Sequence, residues 1–125
     1  MSLIGTGIDI VEVARIERLL ARQGEKFLGR VFTKAEVKYC MNKARPAVHL
    51  AARFAAKEAV AKALGTGFSR GVRMRDIEVV AADKGPPRAR LHGAAARKYD
   101  ALGAGGILLS LSHTGEYAVA HADIF

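Results

Sequence analysis

Hydrophobic residues in the first part of the chain recur at two different spacings. From Leu3 to Val11 the chain is mostly apolar and rich in β-branched residues, which predicts a strand. Gly5 and Gly7 inside this run indicate that another part of the molecule approaches the backbone closely. From Val13 to about Gln23 the hydrophobic residues recur at helical spacing instead, which predicts an amphipathic helix. A strand followed directly by a helix is therefore expected at the start of the chain.

Two further helices are predicted by their end signals. Thr33 followed by Glu36 has the form of a capping box, in which the two side chains satisfy free backbone donors, so a short helix is expected from there to about Met41. Pro46 suits a first helical turn, and the alanine-rich run that follows it continues to Leu64 before a glycine. This second helix is expected to be the longest in the chain.

The second half of the chain alternates short apolar runs with turn residues. The turn from Asp83 to Pro87 joins two of these runs and predicts a hairpin. The expected elements are strands over 77–82, 88–91, 107–112 and 117–122 and a short helix over 93–102. This mixture implies an α+β fold, and because no repeat or linker interrupts it, a single domain over residues 1–125 is expected.

Positive charge is concentrated in one region. The 125 residues carry 20 Lys and Arg against 12 Asp and Glu, a net charge of +8, and the stretch from Val11 to Arg45 holds nine basic residues and four acidic ones. Arg15, Arg18 and Arg22 share the outer face of the first predicted helix. Such a surface attracts nucleic acid, an acidic protein or a phosphorylated small molecule, and an ordinary solvated face is the simpler alternative. Charge alone does not choose among them.

The composition indicates a folded protein of a reducing compartment. Half of the residues are hydrophobic and about a quarter are charged, as in ordinary globular domains. Cys40 is the only cysteine, so no internal disulfide can form. No run reaches the roughly 20 apolar residues of a membrane-spanning helix, and Asp9 and Glu12 stand where a signal peptide would carry basic residues. A cytoplasmic protein without a membrane partner is therefore expected.

Two acidic residues point to a metal site. Asp9 lies inside an apolar strand, where a carboxylate is costly to bury unless it is paired or bound to a cation. Glu58 lies on the long helix, one turn before Lys62. If Asp9 and Glu58 converge, the two carboxylates with phosphate oxygens and waters make a natural Mg²⁺ site. A structural salt bridge at Asp9 and a solvated helix face at Glu58 are the simpler alternatives.

Further polar residues are suited to phosphate binding. Arg53 and Lys57 are one turn apart on the long helix and would lie, with Lys62, beside the phosphates. The segment between the last two predicted strands contains His113 and Thr114, whose side chains can donate hydrogen bonds to a phosphate. A β-turn rich in hydroxyl groups would explain that segment equally well.

Three short motifs occur in a specific order along the chain. They are Gly7-Ile8-Asp9, the pattern Phe-x-x-Lys-Glu-Ala-x-x-Lys-Ala from Phe54 to Ala63, and Ser-x-Ser-His-Thr from Ser110 to Thr114. Together they resemble the acyl-carrier-protein synthase branch of the phosphopantetheinyl transferase superfamily, over nearly the whole chain. The resemblance implies a mainly antiparallel sheet packed against a long central helix, and the short length is similar to that of the branch that forms homotrimers.

The resemblance also implies a reaction and the residues that carry it. An enzyme of this branch transfers the 4′-phosphopantetheine group from coenzyme A to a serine of apo acyl carrier protein, releases 3′,5′-ADP and serves fatty acid biosynthesis. By analogy, Asp9 and Glu58 hold Mg²⁺, Glu58 accepts the serine proton and Lys62 stabilises the developing charge. The residues expected to bind coenzyme A are Arg53, Phe54, Lys57, Lys62, Gly65, Pro86, Ser112, His113 and Thr114.

The same resemblance gives the basic helix a partner. Acyl carrier proteins are strongly acidic, so Arg15, Arg18 and Arg22, with Phe27 as an apolar contact, are the expected docking face. In the family's homotrimers the active site lies between protomers, so some of the site residues are expected to serve a neighbour's site.

Two functions of other classes stay open at this stage. A nucleic-acid-binding module fits the basic charge, but the chain has only eight aromatic residues, no tryptophan and no zinc-ligand spacing or RNA-recognition motif, so no nucleic acid is expected as a partner. A non-catalytic trimeric scaffold or nucleotide sensor fits the size of the chain, but it would not need both carboxylates and Lys62.

Overall fold

The computed structural model describes residues 2–125, in which five strands and five α-helices alternate irregularly along the chain. The strands are β1 Gly5–Glu12, β2 Ile77–Val80, β3 Arg88–Leu91, β4 Ile107–His113 and β5 Tyr117–Ile124. The helices are α1 Val13–Gln23, α2 Glu25–Val31, α3 Lys34–Met41, α4 Pro46–Leu64 and α5 Gly93–Ala101, and a short 3-10 helix covers Met74–Asp76. The expected α+β fold is confirmed.

The strands form two antiparallel sheets. In the larger sheet β5 lies between β1 and β4, with Ala120 opposite Asp9 on one side and Leu111 on the other. The smaller sheet is the predicted hairpin of β2 and β3, in which Ile77 lies opposite Leu91. β1 and β4 are the edges of the larger sheet, and Ile8, Ile10 and Leu108 are exposed on its outer face in the isolated chain.

Helix α4 forms the centre of the molecule. Fifteen of its 19 residues are buried, and it packs across the inner face of β1 and β5. The helix and the strand can approach this closely because both carry small residues: a Cβ atom at Gly5 or Gly7 would overlap the carbonyl oxygen of Ala63 or Ala59. The two glycines therefore bring β1 directly onto α4, as their place in the sequence predicts.

The ends of α3 and α4 are fixed by the signals that predicted them. Thr33 Oγ1 accepts a hydrogen bond from the Glu36 amide at 3.3 Å, and Glu36 Oε1 accepts one from the Thr33 amide at 2.9 Å. Pro46 occupies the first turn of α4, and Gly65 ends the helix in the left-handed region at φ 83°.

Helix α2 is an element that the sequence pattern did not predict. Gly24, at φ 50°, ends α1 and lets the chain turn into α2. The turn directs Phe27 into the core, where it is 1% exposed and its ring meets that of Phe32 edge-on at 5.8 Å between centroids. The prediction that Phe27 offers an apolar docking contact is therefore wrong for this structure, since the ring is covered by the protein itself.

No helix among the described residues has the length and apolar character needed to cross a membrane.

Candidate active site

Asp9, Glu58 and Lys62 come together where β1 lies on α4. Lys62 Nζ donates a hydrogen bond to the backbone oxygen of Ile8 at 2.9 Å and another to Asp9 Oδ1 at 3.3 Å. Glu58 precedes Lys62 by one helical turn, and the charges of both Asp9 and Lys62 shift the pKa of its carboxyl. The close approach of β1 to α4 thus assembles two carboxylates and one ammonium at a single place.

The electrostatic setting of Glu58 favours binding of a cation or a proton. Its side chain is half-buried, and burial raises the pKa of the carboxyl above its ordinary value. The negative charge of Asp9 raises the pKa further, while the positive charges of Lys62 and Arg15 oppose the shift without cancelling it. A carboxylate with a raised pKa in a partly desolvated site is suited to accept a proton during a reaction.

The two carboxylates fit one divalent cation that also binds a phosphorylated ligand. No group of three His, Cys, Asp or Glu side chains that could hold a metal occurs within residues 2–125, so the protein itself offers no complete cage. Mg²⁺ is usually held in the same incomplete way, by one or two carboxylates with waters and substrate phosphates. The mutual repulsion of Asp9 and Glu58 is the feature that a cation would relieve.

A second polar cluster lies between α3, α4 and β4. The guanidinium of Arg53 lies 4.1 Å from the centre of the Tyr39 ring, and the rings of His49 and His113 are 5.6 Å apart. These side chains line a cavity of about 240 Å³ together with the turn between β2 and β3. The turn contributes Ala82, Gly85 and Pro87.

The positive charge of Arg53 suits this cavity to an anion. Arg53 is only 5% exposed, and its Nε is the one buried side-chain nitrogen or oxygen among residues 2–125 that lacks a hydrogen-bond partner. A buried N–H without an acceptor is unfavourable. Arg53 lines the cavity, so its guanidinium is a positive charge that an anion bound there would neutralise. Burial, followed by the neighbouring His113, lowers the pKa of His49, so this imidazole is neutral at pH 7.

The other residues expected to bind coenzyme A have varied surroundings. Phe54 is buried, with the centre of its ring 5.4 Å from the Arg15 guanidinium, while Gly65 and Ser112 are exposed. Thr114 Oγ1 accepts hydrogen bonds from the amides of Glu116 and Tyr117, at 3.1 and 3.0 Å, so this hydroxyl stabilises the turn between β4 and β5.

Pro86 lines a different cavity from that of the Arg53 cluster, although its neighbours Gly85 and Pro87 line the latter. It lines a cavity of about 590 Å³ between the β2–β3 hairpin, α5 and β4, and a neighbouring cavity on the hairpin has a similar volume of about 600 Å³. Neither Asp9 nor Glu58 is among the residues that line this cavity. Size alone therefore does not locate the chemistry, and we assign the site from the charged groups instead.

Lys57 is buried inside the protein and cannot contact a phosphate in this structure. Its side chain is 0% exposed, and its Nζ donates hydrogen bonds to Glu36 Oε1 at 2.7 Å, to the Ile77 oxygen at 2.6 Å and to the Met74 oxygen at 3.1 Å. The prediction that Lys57 binds coenzyme A is therefore corrected. Its ammonium ties α4 to α3 and to the start of β2.

The basic residues of α1 are placed as predicted on the surface. Arg15, Arg18 and Arg22 are all exposed. Arg15 also lies close enough to Glu58 to lower the pKa of that carboxyl, so the basic face begins beside the carboxylate pair.

Tyr39 and His49 belong to the Arg53 cluster, although the sequence interpretation did not name them. His49 stands four residues before Arg53 on α4, a spacing that puts both on one helical face and could have been noticed. Tyr39 lies on another helix, and nothing in its sequence surroundings connects it with Arg53.

Comparison with known proteins decides the family. The sequence model of the 4′-phosphopantetheinyl transferase superfamily matches residues 5–122. The chain belongs to this superfamily. The holo-(acyl-carrier-protein) synthase of Koribacter versatilis is 51% identical over 118 residues, which cover 94% of this chain and 94% of that protein.

Solved structures of this superfamily share the fold. The crystal structure of the Neisseria meningitidis holo-(acyl-carrier-protein) synthase superposes with a TM-score of 0.90 at 34% identity and covers 99% of both chains. The Helicobacter pylori synthase in complex with coenzyme A superposes with a TM-score of 0.84 at 32% identity, over 96% of this chain and 99% of that one. The resemblance drawn from the three motifs is confirmed.

Proposed function

We propose that this phosphopantetheinyl transferase transfers the 4′-phosphopantetheine group from coenzyme A to a serine of apo acyl carrier protein, the reaction that fatty acid biosynthesis requires. The observation that carries the proposal is the assembly of Asp9, Glu58 and Lys62 where β1 meets α4, in a chain of this superfamily. Two carboxylates beside an ammonium suit phosphoryl transfer, which depends on charge neutralisation and positioning.

The carboxylates and the ammonium have separate roles in this reaction. The serine oxygen of the carrier forms a bond to the pantetheine phosphorus, the bond from that phosphorus to the bridging oxygen breaks, and 3′,5′-ADP leaves. Glu58, directly or through a water, accepts the serine proton, as its raised pKa favours. Lys62, held by Asp9 and the Ile8 oxygen, stabilises charge on the phosphates.

Asp9 and Glu58 would hold Mg²⁺ on the pyrophosphate of coenzyme A. The cation would neutralise phosphate charge as the phosphoanhydride bond breaks. Support comes from the donor set, two carboxylates that repel each other, to which phosphate oxygens and waters would be the remaining ligands.

The cluster of Tyr39, His49, Arg53 and His113 would bind the nucleotide end of coenzyme A. Arg53 supplies a buried cation at the wall of the cavity, and its guanidinium lies 4.1 Å from the centre of the Tyr39 ring. His113 is exposed and can donate to the same phosphate.

The assembly that we propose is a homotrimer with active sites between protomers. The outer face of the larger sheet presents Ile8, Ile10 and Leu108, each more than 60% exposed, next to the edges of β1 and β4. An exposed apolar face of this kind is typical of an interface. The cytoplasm stays the predicted location, supported by the single, buried Cys40.

The direct test of the roles is release of 3′,5′-ADP, followed by chromatography in the presence of coenzyme A, apo carrier and Mg²⁺. Asp9→Asn and Glu58→Gln are expected to lose about a hundredfold or more in turnover. Arg53→Met is expected to raise the KM for coenzyme A and to leave the KM for the carrier unchanged. Near-normal turnover of folded Glu58→Gln would reject Glu58 as the proton acceptor.

A further inference from the structure

An apolar groove with a basic rim lies between α2 and α3. Leu28, Phe32 and Val37 form its floor, and its volume is about 460 Å³. Lys34, Lys38 and Arg75 stand around it and are exposed, and Glu25 lies at one end. This groove is separate from the carboxylate pair, the nucleotide cluster and the three arginines of α1.

Gly29 lines this groove and keeps it open. Neither backbone conformation nor close packing requires a glycine at this position. It lies inside α2, its φ is not positive, and a Cβ atom built there would meet nothing within 4 Å among residues 2–125. A glycine inside a helix is unfavourable by about 0.5–1 kcal/mol relative to alanine. The position therefore gives up helix stability without gaining closer packing inside the chain, unlike Gly5 and Gly7.

We infer that the α2–α3 groove is a second docking surface for the acyl carrier protein, and that it receives an apolar side chain from an acidic helix of that partner. This inference rests on the proposed function. An apolar floor with cationic edges complements an amphipathic helix whose apolar residues are flanked by carboxylates. Gly29 leaves the space above the floor that such a side chain needs.

The groove lies on the helix that follows α1, whose arginines are the expected docking face for the carrier. Gln23, the last residue of α1, accepts a hydrogen bond from Arg30 of α2 at 2.8 Å, which joins the two helices. Lys26 and Gly29 share one face of α2, and Lys26 and Arg30 are exposed. One acidic partner can therefore contact α1 and the groove together.

The test measures the affinity of the full-length protein for apo acyl carrier protein without coenzyme A, so that no transfer occurs. Gly29→Leu fills the groove and is expected to weaken carrier binding about tenfold while leaving the KM for coenzyme A unchanged. Gly29→Ala is expected to raise the unfolding midpoint, because alanine favours the helix, and yet to weaken carrier binding about twofold to threefold. If Gly29 served only the fold, Gly29→Ala would not combine a higher unfolding midpoint with weaker carrier binding.

Charge reversal provides a matched pair. Arg75→Glu at the groove is expected to weaken carrier binding about fivefold, with a smaller effect at high salt. Arg97→Glu on the exposed face of α5 is the control, because it makes the same change of charge away from the groove. This control is expected to leave carrier binding unchanged. Unchanged carrier affinity in folded Gly29→Leu and Arg75→Glu would overturn the inference while transfer activity, and with it the proposed function, stood. A change of sedimentation in Gly29→Leu with unchanged carrier affinity would assign the groove to contacts between copies of the chain and would overturn it as well. If the unaltered protein neither bound nor modified the carrier, the proposed function would fail first, and this inference with it.

Discussion

The buried pair of Lys57 and Glu36 is expected to govern stability, although Lys57 belongs to the motif around Glu58. In Lys57→Met the apolar stem is retained and the ammonium is lost. Glu36 would stay charged in the core with two amide donors, Thr33 and Val79, each at 2.9 Å. Breaking a buried ion pair on one side costs about 3–5 kcal/mol, and the two remaining donors favour the lower end of that range, about 3 kcal/mol.

Urea unfolding at a fixed protein concentration measures this loss, because assembly would otherwise change the apparent stability. Lys57→Met together with Glu36→Gln removes both charges and keeps the capping box, since glutamine serves at that position as well. This double variant is expected to recover about 1–2 kcal/mol of the loss. Lys62→Met is the matched control: its side chain is half exposed, so turnover is expected to fall with little change in unfolding.

The kinetic result separates this account from the expectation drawn from the sequence. If Lys57 only holds α4 in place, folded Lys57→Met keeps a KM for coenzyme A near that of the unaltered protein. If Lys57 contacted the phosphates, the KM for coenzyme A would rise sharply and urea unfolding would not change. The second pattern would refute the assignment of Lys57 to the core.

Four further outcomes are expected. Glu58→Gln should unfold at an equal or higher temperature at pH 7, because a carboxyl with a pKa raised by burial and by a neighbouring charge is destabilising when ionised, and this cost is absent in the amide; a clear loss of stability would contradict that reasoning. Arg15→Gln removes a charge that lowers the pKa of Glu58, so the acid limb of the profile of kcat against pH should move to higher pH; a shift to lower pH would have the wrong sign. Gly7→Ala should lose about 3 kcal/mol or more in urea unfolding, because its methyl group overlaps a backbone carbonyl of α4 that cannot move aside; tolerance of alanine there would mean that β1 does not lie so close. Changing Arg15 and Arg22 together to Glu should raise the KM for the carrier more than the KM for coenzyme A, and equal effects on both would count against a docking face on α1.

The elements of the fold that carry local signals could be predicted closely. The bounds of α4 follow from Pro46 and the glycine after Leu64, and the hairpin follows from the turn residues between β2 and β3. Helix α2 could not be predicted in this way, because Gly24 and Gly29 weaken its helical pattern and its stability depends on burying Phe27 and Leu28.

Among the motif residues of α4, only those on one side of the helix were predicted correctly as candidate site residues. Residues 57 and 58 are adjacent in sequence, but successive residues of a helix point about 100° apart, so one is buried against α3 while the other faces β1. Helical spacing gives the relative directions of side chains, but it does not show which direction the protein covers on a helix that is buried almost all round. Tyr39 was missed for a related reason, since its contact with Arg53 depends on how α3 packs against α4.

The measurement that tests the central claim most directly is the intact mass of an apo acyl carrier protein incubated with coenzyme A, Mg²⁺ and this protein. The account predicts a gain of about 340 Da, one phosphopantetheine group, that is lost when a chelator removes the metal or when Glu58→Gln replaces the unaltered enzyme. No gain on any of several apo carriers, with a folded sample of this protein, would contradict it.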